Sequence, residues 1–336
     1  MKAGILTFQF ADNYGAVLQC YALQEACSFY GAEACVIDYI PKQMISNKTK
    51  IRKKILPRGF EKSIEQFRKQ YLNRSTVKET YDRVLIGSDQ VWNLGITGED
   101  DFWIAPKLSC GMVCSYAASF GKGELSGKEE AYFSKYQNPL KNYGFLTVRE
   151  NSAKKILEKI GVSSETVCDP TFLFYKEPEI YERLAETSEY RNKAGYILVY
   201  SLEYAKEIDE ITEKVKRETG MSIVSLHPMN DRIQTCDEFV LDARVEDFLA
   251  LIRNASCIVT NSFHGLAFSY IFRKQVYCVH HSMLSSRQAE LLNASGFEAE
   301  RISEKIYHID CGQSSKKLDD YVDNSRKILK KMLTES

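Results

Sequence analysis

Lys2-Ala3-Gly4-Ile5-Leu6-Thr7-Phe8, followed by Gln9-Phe10-Ala11-Asp12-Asn13-Tyr14-Gly15 and then by the run from Ala16 to Tyr30, decides the fold. The first piece is a short apolar run of core-strand length, and the last spaces its apolar residues as a buried helix does. The polar turn between them ends in a glycine. The same order recurs downstream. Ala34–Tyr39 reads as a strand stopped by Pro41, and Arg83–Gly87 and Met112–Ala118 as further strands. Phe145–Val148 leads into a helix from Asn151 to Ile160 closed by Gly161, and Thr166–Cys168 is a short strand. Repeated strand–helix alternation predicts a mostly parallel sheet with helices on both faces.

The pattern then restarts. Tyr196–Ser201, Ser222–Leu226, Cys257–Thr260 and Gln275–Val279 read as strands. Ala205–Thr219, Val245–Asn254, Leu266–Phe272 and Arg287–Asn293 read as the helices between and after them. The expected organisation is two Rossmann-like α/β domains, 1–175 and 176–336. The boundary is set by Asp169-Pro170-Thr171 and the polar stretch Lys176–Lys193. Leu318, Tyr321, Val322, Ile328, Leu329, Met332 and Leu333 recur at helical spacing and predict a terminal amphipathic helix.

A chain of 336 residues exceeds what one core usually organises. Lys plus Arg and Asp plus Glu balance at 45 each, which does not favour a nucleic-acid partner. The start of the chain lacks the apolar region and cleavage site of a signal peptide, and no apolar run is long enough to span a bilayer. Ten cysteines without a Cys-x-x-Cys pair then read as buried thiols in a reducing compartment, so the expected location is cytoplasmic. Cys278, His280 and His281 lie together, but no second cluster completes a four-ligand set, and no metal is expected.

One segment breaks the alternation. Lys42 to Lys78 holds twelve Lys/Arg against two Glu, with few strand formers and with Pro57 and Gly59. It reads as a basic helical insertion over a sheet edge. Such a segment either docks on an anionic membrane surface at the inner leaflet or presents a solvated helical face.

In open α/β sheets ligands bind beyond the carboxyl ends of strands, near helix N-termini. Four turns there concentrate polar residues. Asn13-Tyr14-Gly15 follows the first strand, where Asn13 either caps the helix or holds a ligand. Ser88-Asp89-Gln90-Val91-Trp92-Asn93 sets hydroxyl, carboxylate and amides around one aromatic ring, as a sugar site does. The plain alternative is a structural turn with Trp92 as a core plug. Arg149 in Thr147-Val148-Arg149-Glu150 presents a planar fork for a carboxylate or phosphate, or pairs with Glu150. Asn261-Ser262-Phe263-His264-Gly265 opens a helix, a ready anion site.

Read in order, these segments resemble polysaccharide pyruvyl transferases. The resemblance rests on Gly4–Phe8 with Asn13–Gln19, Gly87–Asn93, Ser115–Gly121, Val148–Glu150, Asp169–Thr171 and Ser262–Gly265. It implies two Rossmann-like domains facing across a cleft, as in GT-B glycosyltransferases. It also implies transfer of a pyruvyl group from phosphoenolpyruvate, a co-substrate with no further cofactor, to a saccharide of a polysaccharide or its lipid-linked precursor. His264 inherits the family's donor contact. Asn261 and Ser262 depart from the acidic and basic residues that many members carry there, and Arg287 is the cation expected to compensate. The donor set is therefore Arg149, Asn261, Ser262, His264, Gly265 and Arg287. The acceptor set is Asn13, Tyr14, Gly15, Ser88, Gln90, Trp92 and Asn93, with Asp89 as base on the acceptor hydroxyl. Alternatives are a GT-B glycosyltransferase using a nucleotide sugar and a catalytically silent saccharide-binding member.

Overall fold

In a computed structural model the described residues are 1–41, 58–226, 233, 235–280 and 285–335. The chain forms two compact units, Met1–Lys53 with Arg68–Leu173 and Asp320–Ser336, and Lys54–Phe67 with Phe174–Asp319.

The first unit is built on a seven-stranded sheet. Its strands are β1 (Lys2–Leu6), β2 (Glu33–Ile37), β3 (Arg74–Ser75), β4 (Thr80–Ile86), β5 (Ser109–Ala118), β6 (Leu146–Val148) and β7 (Glu165–Thr166), in the order β3-β2-β1-β4-β5-β6-β7. Every pair is parallel. The central strands are apolar on both sides because helices cover both faces, the usual state of a parallel sheet. The helix Tyr14–Phe29 is buried nearly all round, which explains its unbroken apolar and small residues. It stops at Tyr30, where Gly31 takes a positive φ of 84° that costs glycine little.

The second unit repeats the plan with β8 (Tyr196–Tyr200), β9 (Ser222–Leu226), β10 (Glu238–Val240), β11 (Cys257–Thr260), β12 (Gln275–Val279), β13 (Ala299–Arg301) and β14 (Ile306–Ile309). The order is β10-β9-β8-β11-β12-β14-β13. Here β14 runs antiparallel to β12, and β13 antiparallel to β14. Ile197, Val199, Ile223, Val259 and Val279 bury against Ile208, Ile211 and Val215 of the helix Lys206–Thr219, which carries its apolar residues on one stripe.

Four strands are absent from the sequence reading: β3, β10, β13 and β14. The first three are two or three residues long, carry charges and lie at or beside a sheet edge, where one-sided pairing needs no apolar run. β3 also lies inside the segment 42–78, which is therefore not helical throughout. Its helix spans Arg58–Tyr71, and residues 42–57 are outside the described residues.

The domain bounds need two corrections. The division falls between Leu173 and Phe174, and two segments belong with the opposite unit from the one expected. Of the basic segment, the described residues up to Phe67, 58–67, group with the second unit, where Ser63 Oγ donates to Phe60 O and Ala243 O. The terminal helix Lys316–Thr334 forms as predicted, but from Asp320 onward it belongs to the first unit. There Cys168 N donates to Ser325 Oγ at 2.9 Å, and Arg326 Nε donates to Leu173 O at 2.6 Å. Val322, Leu329 and Met332 are buried. A sequence tail joins whichever surface is left apolar, and that surface is a tertiary property. No helix among the described residues is long and apolar enough to cross a membrane.

Candidate functional site

In each sheet the order of the parallel strands reverses once, between β1 and β4 and between β8 and β11. Helices that follow such a pair of strands leave toward opposite faces, so their first turns part and open a crevice. The turns singled out from sequence stand at these two points.

In the first unit the turns after β1 and β4 are tied together. Thr7 Oγ1 donates to Ser88 O at 2.6 Å, and Gln19 Nε2 donates to Thr7 Oγ1 at 3.0 Å. Asn13 is the N-cap of the helix, its side chain accepting from Ala16 N at 3.2 Å. Tyr14 and Gly15 are buried, so among this trio only Asn13 stands partly open. Asp89 is half-buried and holds φ at 81°, a strained value for a non-glycine residue. Its Oδ1 accepts from Gln90 N at 2.8 Å, and its backbone carbonyl accepts from Val91 N and Ser119 N. Asn93 caps the short helix Leu94–Thr97 and donates to Gln90 Oε1 at 2.8 Å. Trp92 is 1% exposed, and its indole N–H donates to Trp103 O. It is a plug in the core cluster, so its ring does not offer the open face expected of a sugar plate.

The turns after β4, β5, β6 and β7 meet in one buried network. Ser88 Oγ donates to Asp169 Oδ2 at 2.9 Å, and Arg149 Nη1 donates to the same oxygen at 3.1 Å. Arg149 Nε reaches Glu150 Oε2 at 3.3 Å, and Ser119 Oγ donates to Glu150 Oε1. Asp169 Oδ1 accepts from Thr171 N and Thr171 Oγ1. Burial works against the Arg149 charge, but Glu150, Asp169 and Asp89 outweigh it and hold the guanidinium more firmly protonated. Its Nε and Nη1 reach carboxylates inside the unit, and the residue is 7% exposed. Arg149 thus builds the floor beneath Ser88 and Asp89.

In the second unit Asn261 splices the two turns at the reversal. Its Oδ1 accepts from Leu202 N at 2.9 Å, its Nδ2 donates to Glu203 O at 2.8 Å, and its carbonyl accepts from Gln288 Nε2 at 2.8 Å. The amide does work that a carboxylate could only half do, since it both accepts and donates. Ser262 caps the helix Phe263–Ile271, accepting from Gly265 N at 3.3 Å. His264 is on the first turn, 8% exposed, with Phe263 edge-on at 5.1 Å. Gly265 is required by contact, because a Cβ there would stand 2.3 Å from Thr260 Oγ1. Arg287 lies in the helix Ser285–Ser295, and its side chain is outside the described residues.

A family model for polysaccharide pyruvyl transferase matches residues 13–282. The chain belongs to that family. The matched span contains the turns after β4 and β11 and the buried Arg149 network. The comparison with curated proteins gives no match. Among solved structures, the S. aureus MnaA–UDP co-structure aligns at 12% identity and TM-score 0.50, over 99% of this chain and 88% of that one. UDP-GlcNAc 2-epimerase from Neisseria meningitidis bound to UDP-GlcNAc aligns at 10% identity and TM-score 0.48 over the whole of both chains. The E. coli heptosyltransferase WaaC with ADP-2-deoxy-2-fluoro heptose aligns at 11% identity and TM-score 0.37, over 82% of this chain and 87% of that one. The first of these is a likeness of fold alone, and the fold class is α/β, GT-B-like.

Sequence reasoning missed one residue that holds a candidate-site turn of this pyruvyl transferase family member. Arg68, counted in the basic segment, is 5% exposed. Its Nε donates to Gln9 O at 2.6 Å, and its Nη2 donates to Ala11 O at 2.7 Å and Asp12 Oδ1 at 3.1 Å. It fixes the turn that leads into Asn13. Asp12 offered a partner in the sequence, but a separation of 56 positions hid the pairing.

Proposed function

We propose that this chain transfers the pyruvyl group of phosphoenolpyruvate to a saccharide of a polysaccharide or its lipid-linked precursor, closing a cyclic ketal and releasing phosphate. The observation that carries the reading is the helix N-terminus at Ser262–Gly265, standing at a strand-order reversal within the span that matches the family. Backbone N–H groups and the helix dipole favour an anion there.

The second unit binds the donor. Ser262, Gly265 and His264 face its charge, Asn261 holds the adjoining turn, and Arg287 supplies a cation. The first unit binds the acceptor through the half-buried polar groups of Asn13, Asp89, Gln90 and Asn93. Reaction needs a proton on C3 of the donor, which leaves positive charge at C2 for an acceptor hydroxyl to attack. A second hydroxyl then displaces phosphate from C2. Of the two hydroxyl protons, one balances the proton gained at C3 and the other leaves with the phosphate. Asp89 is the base on the first hydroxyl, and its strained φ keeps the carboxylate at the turn.

The test is mass spectrometry of lipid-linked saccharides incubated with protein and phosphoenolpyruvate, with phosphate release followed in parallel. His264→Ala should abolish turnover while leaving the circular dichroism and melting temperature unchanged. Turnover equal to wild type in that variant removes His264 from the mechanism. We also propose that the basic segment 42–78 carries peripheral contact with anionic lipid, on the strength of its charge alone. Equal recovery of the protein in the supernatant with anionic and neutral vesicles rules this out.

A further inference from the structure

We infer that His280 is a second donor-binding residue of the second unit, its Nε2 hydrogen-bonding an anionic oxygen of the phosphorylated donor and taking up a proton as it does so. The inference rests on the donor reading above.

Register places the residue. Thr260 pairs with Cys278 across β11 and β12. Adjacent strands lie about 4.8 Å apart, so the chain leaves β11 toward Ser262 and β12 toward His280 from neighbouring points on the carboxyl edge. His280 stays in the ladder past the end of β12, its N–H donating to Lys305 O at 2.8 Å.

Alternation fixes the face. Val279 and Tyr277 belong to the cluster around the helix Lys206–Thr219. Cys278 and His280 therefore point the other way, toward the face covered by the helix Phe263–Ile271. That helix packs against β12, which agrees with the assignment. His280 thus shares both the edge and the face of the Ser262–Gly265 turn.

The side chain is held and incompletely used. Its ring stacks on Tyr307 at 4.6 Å and 27°. Its Nε2 is buried and has no hydrogen-bond partner among the described residues, an unmet need that a ligand oxygen would fill. Burial lowers the imidazole pKa below its ordinary value. The groups brought to it by its own strand and its neighbour are the Cys278 thiol, pushed up to about 12 and so neutral, the Tyr307 ring, and Lys305, whose amine is paired with Glu207. An arriving trianion would favour the imidazolium.

The sign follows. A ligand that raises the pKa of His280 binds more tightly as pH falls through the bound-state pKa, and the gain stops below the free-state pKa. Five histidines make the imidazole proton spectrum tractable, with His280→Gln identifying the resonance. The titration midpoint of His280 in wild-type protein should rise by about one pH unit or more on saturation with phosphoenolpyruvate. Calorimetric affinity for phosphoenolpyruvate should weaken as pH rises across neutrality, and His280→Gln should flatten that slope and weaken binding about tenfold. An unmoved midpoint in wild-type protein that demonstrably binds phosphoenolpyruvate overturns this inference alone. Failure of wild-type protein to bind phosphoenolpyruvate overturns the donor reading and this inference together.

Discussion

Replacing Gly265 by Ala tests the turn that the donor reading depends on. The new Cβ would stand 2.3 Å from Thr260 Oγ1, 3.0 Å from Tyr200 Cδ1 and 3.1 Å from Thr260 Cβ. Ordinary contact begins near 3.4 Å, so Oγ1 must retreat by about an ångström. It cannot do so freely, since it donates to Tyr200 O at 2.6 Å and accepts from Ser262 N at 3.0 Å. Losing one of these bonds costs about 1 kcal/mol, and overpacking a rigid site costs about 1–3 kcal/mol. Ala regains up to about 1 kcal/mol over Gly in helix propensity. The net expectation is a loss of about 1–3 kcal/mol, seen as a lower urea midpoint at unchanged slope. In a Thr260→Ala background the obstructing oxygen is gone, and the same change should cost about 1 kcal/mol less. A Gly265→Ala protein as stable as wild type, or equal costs in both backgrounds, would falsify the steric argument.

Other consequences follow from the same geometry. Asp169→Asn removes one carboxylate from the buried Arg149 network and should destabilise the first unit by about 3–5 kcal/mol in urea unfolding; a cost under about 1 kcal/mol would mean that the network is solvated. Arg68→Lys keeps a charge but loses the fork, so it should weaken saccharide binding more than phosphoenolpyruvate binding; equal weakening of both would deny a local role at the first turn. Iodoacetamide at neutral pH should label Cys110 and Cys236, which are partly exposed, ahead of Cys20, Cys27, Cys168, Cys257 and Cys278, whose thiols burial pushes up to about 12; mass spectrometry of the folded protein showing the reverse order would contradict the core assignment. A chain ending at residue 319 should lose the cooperative unfolding of the first unit, because Val322, Leu329 and Met332 leave its core; an unchanged transition would place the terminal helix elsewhere.

Local information carries the strand–helix alternation, the two Rossmann-like repeats, the glycine-ended turns and the helix opening at Ser262. Each depends on residues close in sequence: apolar runs long enough to be buried on both faces, caps three residues from the N–H they accept, and glycines where the backbone turns back. Which turns come together is a different kind of fact. Ser88 and Asp169 are 81 residues apart, and Arg68 and Gln9 are 59 apart. No periodicity relates them, because only strand order sets the distance between turns on one sheet edge. The same holds for burial. Trp92 and Arg149 read as ligand groups by residue type, yet a plug and an ion-pair network are made of the same types. What separates them is how much water the surrounding elements exclude, and that is decided by the packed sheet and its helices rather than by the segment that carries the residue.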